Sequence, residues 1–426
     1  MHMVYYSIEN ENMAISPGQI KKAVIAAVES AATGQSMLII PPDITRLHSG
    51  AGIITEMLWE EYKDKIKDIM PALGTHRGMS ANETENMFGQ VPQKLFRKHD
   101  CRNDIITLGK VPGSFLYGLS EKKVNYDWPV QINKLINEST NSLIVSIGQV
   151  VPHEVTGMAN HNKNIFIGCG GYESINKSHF LGAACGMEKL MGKAMNPVRE
   201  VINRGDNLFA NHLNILYILT VIGTGKDGLP AIKGLFTGTD TECFNKAASL
   251  SSKLNIKMMD RPPGKILVYL NPFEYRSTWL GNKAIYRTRM AIADGGELVI
   301  IAPGLKMFGE DRLMDRLIRK YGYRPSHEII SLAEKNDDLR HNLGVAAHLI
   351  HGSPEGRFSV TYCTDLIIKK EIQDAGFGHA DIEDIKAKYN FEKLREGYNI
   401  SGEGEEFYYI PNPALGLWAA RDKFTA

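Results

Sequence analysis

Ser142-Leu143-Ile144-Val145-Ser146-Ile147-Gly148-Gln149-Val150-Val151 is the stretch on which the fold turns. It is the clearest β-strand in the chain, an apolar, branched run of strand length. Pro152-His153-Glu154 follow at once, so polar side chains leave where the strand ends. Upstream, residues 36–40 predict a short buried strand that stops at Pro41-Pro42, and residues 66–73 predict another that stops at Gly74. Between them, residues 53–62 predict a helix. Residues 17–29 predict an earlier one, with Ser16 as N-cap, Pro17 as first helical residue, and Ile20, Val24, Ile25 and Val28 at helical spacing. Downstream, residues 164–168 predict a further short strand and residues 178–191 a helix. Such alternation predicts α/β layers with largely parallel strands.

Asp260-Arg261-Pro262-Pro263-Gly264 breaks the pattern. New strands are predicted beyond it at residues 265–270, 297–302 and 361–368. The expected architecture is two α/β domains with mostly parallel sheets and an active-site cleft between the domains. Residues 1–260 form the N-terminal domain with the functional side chains, and residues 261–405 the substrate-side domain. Residues 406–426, apolar at 407–410 and 415–420, are expected to dock back on the first domain as a tail.

The composition narrows the function. Across 426 residues, 49 Lys and Arg balance 48 Asp and Glu, which leaves no electrostatic footprint for nucleic acid or an anionic membrane. Five scattered Cys with no C-x-x-C pair make neither a disulfide framework nor a thiolate zinc site. No signal peptide and no uncharged apolar run of about 18 residues is visible. A soluble cytoplasmic protein is expected.

Polar chemistry gathers where predicted strands end, which in open α/β sheets is where ligands bind. The sites are Asp43-Ile44-Thr45-Arg46, Gly74-Thr75-His76-Arg77, Gln149 to Glu154, and Asn160-His161-Asn162-Lys163, with His179 further on. Each has a bland reading alone: a capping Asp, a hydrogen-bonded His, a solvated Lys. Together they suit a small anionic substrate. Two His can serve as acid and base, one Arg can clamp a carboxylate, and one Lys can be a covalent anchor. Those residues alone leave two-base and metal-assisted chemistry both open.

The same residues resemble the nickel-dependent lactate racemase family, whose members interconvert 2-hydroxy acid stereoisomers. The resemblance lies in the D-x-T-R loop at Asp43 to Arg46, the G-T-H-R turn at Gly74 to Arg77, and Pro152-His153 followed by Lys163 ten residues on and His179 sixteen beyond that. It is clear over residues 36–190 and looser to residue 303. It implies a nickel-pincer nucleotide joined covalently to Lys163, absent when the protein is made without the cofactor-building enzymes. It implies His179 as the protein ligand to nickel, and His76 and His153 as the acid/base pair. Asp43, Thr45 and Arg46 would border the cofactor, with Arg46 also on the substrate carboxylate. The implied reaction is a hydride shuttle through a planar 2-keto acid.

Two departures stand out. The family's small, glycine-rich stretch before the Lys is here Glu154-Val155-Thr156-Gly157-Met158-Ala159-Asn160-His161-Asn162. His161 is an added candidate there, with an exposed loop histidine as its ordinary reading. The family's Tyr-Gln-x-x-Lys is here Tyr275-Arg276-Ser277-Thr278-Trp279, with Lys283 four residues later. Tyr275, Arg276, Trp279 and Lys283 on the substrate side suggest a longer sugar acid rather than lactate, hence C2-epimerisation. Trp279 reads equally as packing. A metal-assisted hydrolase or lyase built on the three His, and a non-catalytic binder of a small anion or cofactor, are the alternatives. Gly223-Thr224-Gly225-Lys226 lacks full phosphate-loop spacing, residues 234–241 predict a turn, and His341, His348 and His351 read as a helix face and its C-terminal end.

Overall fold

The computed structural model describes residues 4–31 and 35–424. The chain divides into two units. One runs through Ser178 and resumes with Leu190–Asn255; the other takes His179–Lys189 and everything from Ile256 on. The Pro-Pro-Gly break at 262–264 thus lies inside the second unit, a few residues past the division.

The first unit is built on a six-stranded sheet of β1 (Val4–Glu9), β2 (Met37–Ile40), β3 (Ile66–Ile69), β4 (Leu143–Gln149), β5 (Ile215–Thr224) and β6 (Pro230–Gly238). The order is β1-β6-β5-β4-β2-β3. From β3 to β5 the neighbours are parallel, while β6 and β1 add antiparallel pairs. Every β2 residue and all but the last of β4 are buried, which is why both read as plain apolar runs. Helices α1 (Pro17–Ala31) and α2 (Ala51–Tyr62) cover one face, setting Val24, Val28, Ile54 and Leu58 in one core with Ile39, Val145, Ile147 and Ile218. The start of α1 is fixed reciprocally. Ser16 Oγ accepts from the Gln19 N–H, and Gln19 Oε1 accepts from the Ser16 N–H.

Three expectations before residue 260 need correction. Residues 164–168 are not a strand but a π-helical turn, closed by the Cys169 N–H donating to the Asn164 carbonyl at 3.0 Å. Asn164 Nδ2 donates to the Ile40 carbonyl and to Ser146 Oγ, tying the turn to two strands that already pair with each other. The helix expected over 178–191 is α3 (Tyr172–Cys185), followed by a separate short turn, Met187–Leu190. Gly186, with φ of +92°, interrupts the two. Residues 234–238 are not a turn. They are the buried half of β6, where Gly234 faces Leu250 so closely that a Cβ would lie 2.5 Å from its side chain.

The second unit has its own sheet of β7 (Lys265–Tyr269), β8 (Glu297–Ile301), β9 (Ser359–Cys363), β10 (Gly378–Ala380), β11 (Gly397–Ile400) and β12 (Glu406–Ile410), in the order β10-β9-β8-β7-β12-β11. Only β11 with β12 is antiparallel. The tail is corrected here. Residues 406–410 are an interior strand lying parallel to β7, and Leu417–Ala420 pair in parallel with Ile256–Met259, so both belong to the second unit. The physical reason is that β7 has a second edge to satisfy. The alternating Phe407 and Tyr409 join Leu267, Val299 and Tyr389 in that unit's core. Both sheets are mostly parallel, as the apolar strands predicted.

Candidate functional site

The carboxyl ends of β2, β3 and β4 carry most of the expected residues. Asp43 is buried and caps the short turn Ile44–Ser49, its Oδ1 accepting the Thr45 N–H at 3.1 Å and also the Thr45 hydroxyl. Its other oxygen lies 2.7 Å from Nδ1 of His76. Burial pushes the Asp43 carboxyl up, but hydrogen bonds from His76 and Thr45 outweigh it and hold the pKa below the ordinary carboxylate value. His76 follows β3 with 58% of its side chain exposed, so the ring edge away from Asp43 faces outward. Arg77, next in the chain, is exposed and turns to Glu83, and so plays no part here.

Arg46 is partly buried, and burial lowers its pKa while Glu154 and Asp43 oppose the fall. Lys163 feels the same carboxylates. Burial and the neighbouring cations Arg46 and Arg199 push its amine down to about 8 against the pull of Glu154 and Asp43. Asp43, Arg46, Glu154 and Lys163 therefore share one electrostatic neighbourhood at the carboxyl edge of the first sheet. The amine is partly neutral near physiological pH, as a nucleophilic lysine must be.

His153 sits in a two-residue hairpin, Pro152–His153 against Gly157–Met158. Its Nδ1 accepts the backbone N–H of Val155 at 3.1 Å and of Thr156 at 3.4 Å. Gly157, paired with His153 in the second arm, takes φ of +72°, and a Cβ there would lie 2.0 Å from the Lys193 carbonyl.

The divergent stretch before Lys163 is the part that sequence reasoning misread. His161 is buried rather than exposed, with its ring 4.0 Å from Tyr217 and 5.3 Å from Phe244. Nε2 lies 3.1 Å from the Asp240 carbonyl, and burial with Arg199 nearby pushes the ring down to about 3. Asn160 and His161 both take left-handed backbone, φ +66° and +60°, where glycine would rest without strain. A residue with no motif to announce it secures them. Arg199, fully buried on α4 (Pro197–Phe209), donates to the carbonyls of Met158 at 2.6 Å and Asn160 at 3.2 Å and to Asn162 Oδ1 at 2.8 Å. Asn162 in turn donates to Asp206 at 3.1 Å. Three hydrogen bonds to one guanidinium are the kind of contact that offsets a local cost of about 1–3 kcal/mol per strained residue. The only sequence signal for Arg199 was its place on an otherwise apolar helix face.

The remaining candidates lie in the second unit. His179 is on α3, partly buried. Tyr275 is buried and its phenol is pushed up to about 12 by burial, with Glu274 adding and Arg287 opposing. Lys283 Nζ lies 5.8 Å from the Tyr275 ring centroid. Arg276 is exposed, and the Trp279 ring packs against His348, centroids 4.3 Å apart and planes tilted by 32°. His348 is not a charged helix end. It is a buried neutral ring pushed down to about 3, with Tyr286 Oη 2.8 Å from Nδ1 and Tyr323 Oη 2.9 Å from Nε2. Elsewhere in that unit a cavity of about 590 Å³ opens among Tyr269, Ile301, Lys386, Asn390, Phe391 and Tyr409, holding none of the expected residues.

The Lys163 amine suits a group held through a covalent bond to nitrogen. An amine of lowered pKa and an imidazole are present, and among the described residues no group of three or more His, Cys, Asp or Glu is placed to hold a metal by itself. No helix among the described residues is long and apolar enough to cross a membrane.

Comparison with known proteins follows the same lines. Residues 20–190 match the lactate racemase N-terminal domain family. A structural-genomics crystal structure of a Thermotoga maritima protein superposes with a TM-score of 0.78 at 24% identity, covering 97% of this chain and 100% of that one. The lactate racemase apoprotein from Thermoanaerobacterium thermosaccharolyticum superposes with a TM-score of 0.69 at 18% identity, covering 97% and 96%. No curated protein matches the chain.

Proposed function

We propose, with residues 20–190 belonging to the lactate racemase N-terminal domain family, that the chain is a racemase or C2-epimerase of a 2-hydroxy acid, working with a nickel-pincer nucleotide. The observation that carries this reading is the Lys163 amine, lowered to about 8 in the neighbourhood that also holds Arg46 and the Asp43–His76 pair. An ordinary surface lysine would stay charged, and a salt-bridged one would be held above its usual value.

Lys163 is the residue that would carry the cofactor through its amine, and His179 the one that would ligate nickel. The bound cofactor would supply the hydride-accepting ring. The chain's own residues handle position and protons. Arg46 presents a guanidinium suited to a carboxylate. Asp43 fixes the His76 ring through the contact at Nδ1. His153 serves as the second acid/base group. On the substrate side, Lys283 beside Tyr275 is assigned the cationic role that Trp279, packed against His348, does not fill. Arg276, which is exposed, is assigned to the hydroxyls of a longer, polyhydroxylated acid.

The test is mass spectrometry and nickel analysis of protein produced together with the cofactor-building enzymes. A Lys163 peptide bearing the adduct, with nickel copurifying, supports the assignment, and unmodified Lys163 with no nickel ends it. A stereoisomer panel of short and long 2-hydroxy acids on the loaded protein then identifies the substrate.

A further inference from the structure

We propose that His76 and His153 are preset in opposite tautomers, so that Nε2 of His76 offers a lone pair while Nε2 of His153 offers an N–H. The proposal rests on the acid/base roles assigned above and gives them a direction.

The assignment comes from what each Nδ1 faces. Nδ1 of His76 lies 2.7 Å from a carboxylate oxygen, and an ionised carboxylate can only accept. The proton is therefore on Nδ1, and the neutral ring keeps its lone pair on Nε2. Thr45 occupies the other Asp43 oxygen as a donor, so that carboxylate is oriented and stays an acceptor toward His76. Nδ1 of His153 faces the reverse situation. Two backbone N–H groups, from Val155 and Thr156, point at it, and a backbone N–H can only donate. Nδ1 must carry the lone pair, and the neutral ring holds its proton on Nε2. A proton moved to Nδ1 would oppose both N–H groups at once. The sequence alone holds no sign of this difference, because it is made by a side chain in one case and by a hairpin backbone in the other.

The consequence is a site that is one-handed at rest. For the stereoisomer whose hydroxyl meets His76, the O–H bond breaks and a new N–H bond forms on Nε2. The electron pair stays on the substrate oxygen, and the resulting imidazolium keeps its Nδ1–H on Asp43. His153 has no lone pair on Nε2 with which to repeat that step. From its resting form it donates a hydrogen bond to a carbonyl or alkoxide oxygen. Accepting a proton from the opposite stereoisomer requires the turn after His153 to release Nδ1.

The tautomers are read directly by long-range proton–nitrogen NMR of the apoprotein carrying ¹⁵N-histidine, about two pH units above the ordinary imidazole pKa of about 6.5. His76→Gln and His153→Gln samples serve to assign the two rings. The expected result is Nδ1 protonated in His76 and Nε2 protonated in His153. The same tautomer in both rings, or a proton on Nδ1 of His153, overturns the proposal. A second reading uses loaded enzyme, where one stereoisomer should react at least tenfold faster than the other in the first turnover; equal rates also overturn it. Absence of the Lys163 adduct would remove the functional reading while leaving the NMR result standing, so the two failures are distinguishable.

Discussion

Asp43 and His76 lie on different loops, 33 residues apart, yet a carboxylate oxygen of one sits 2.7 Å from Nδ1 of the other. Asp43→Asn would keep the shape and remove the charge. A carboxamide can turn either its oxygen or its NH₂ toward the ring, so the tautomer is no longer dictated. The expected loss in kcat is about 10²–10⁴-fold on the loaded enzyme, with Thr45→Ala losing less. An Asp43→Asn variant within about twofold of the parent would refute the orienting role.

The Asp43 pKa is lowered by folding, so its contribution to stability is present above the ordinary carboxylate value of about 3.9 and is lost as pH falls through the lower folded value. Thermal unfolding followed from pH 6 downward should therefore show a smaller acid-side decline for Asp43→Asn than for the parent, in roughly that window.

Lys163 carries the opposite sign. Its folded value of about 8 lies below the unfolded lysine value of about 10.4, so between the two the unfolded chain binds the extra proton and stability rises with pH. Lys163→Met should raise the melting temperature at pH 7, and the gain should shrink as pH passes through 8 toward 10. An amine-acylating reagent, followed by peptide mass spectrometry, should modify Lys163 with a pH midpoint near 8, well below that of surface lysines. A midpoint in the ordinary lysine range would contradict the structure.

Arg199 should govern that midpoint from behind. Arg199→Met leaves the carbonyls of Met158 and Asn160 without their donor, at about 1–3 kcal/mol for each one left buried and unsatisfied. It also removes a cation that depresses Lys163. Denaturant unfolding should show the stability loss, and the acylation midpoint of Lys163 should move upward. Arg199→Lys, with one charged point in place of a planar fork, should restore the midpoint more than the stability.

Two glycines make a matched steric test. A Cβ at Gly148 would lie 2.1 Å from Asn160 Nδ2, on backbone at φ +155°, so Gly148→Ala must displace Asn160 and should cost about 1–3 kcal/mol. Gly18, in the first turn of α1, has nothing within 4 Å of the added atom. Gly18→Ala should be neutral or stabilise by up to about 1 kcal/mol. Equal effects at the two positions would argue against the packing around Asn160.

Much of this was legible in the sequence because apolar runs and periodicity report burial directly. The run at 142–151 and the strands at 37, 265 and 297 announced themselves, and the parallel sheets followed. Misreadings came where tertiary contacts override local pattern. The apolar Asn164-to-Gly168 segment has strand composition, but Asn164 is tied to Ile40 and Ser146 and the backbone coils instead. His161 and His348 carry no local mark of burial; aromatic neighbours far along the chain enclose them. For the tail, the sequence could show that residues 407–410 must dock, yet not that the free edge of β7 would take them. The candidate residues were found by order and spacing. What each one faces, Asp43 for His76 and two peptide N–H groups for His153, is a property of loops that spacing does not encode.

The π-turn after Lys163 has a consequence for how this chain can change. A π-turn holds one residue more than the α-helical path between the same ends. Each helical residue advances the direction of a side chain by about 100°. Removing a single codon within 164–168 would let the turn tighten to α-helical bonding and swing the lysine away from Arg46, with no substitution anywhere in the site. Length, as much as identity, is what this segment hands down. Survival of the amine's low pKa through a one-residue deletion there would show that Lys163 is held by its neighbours alone.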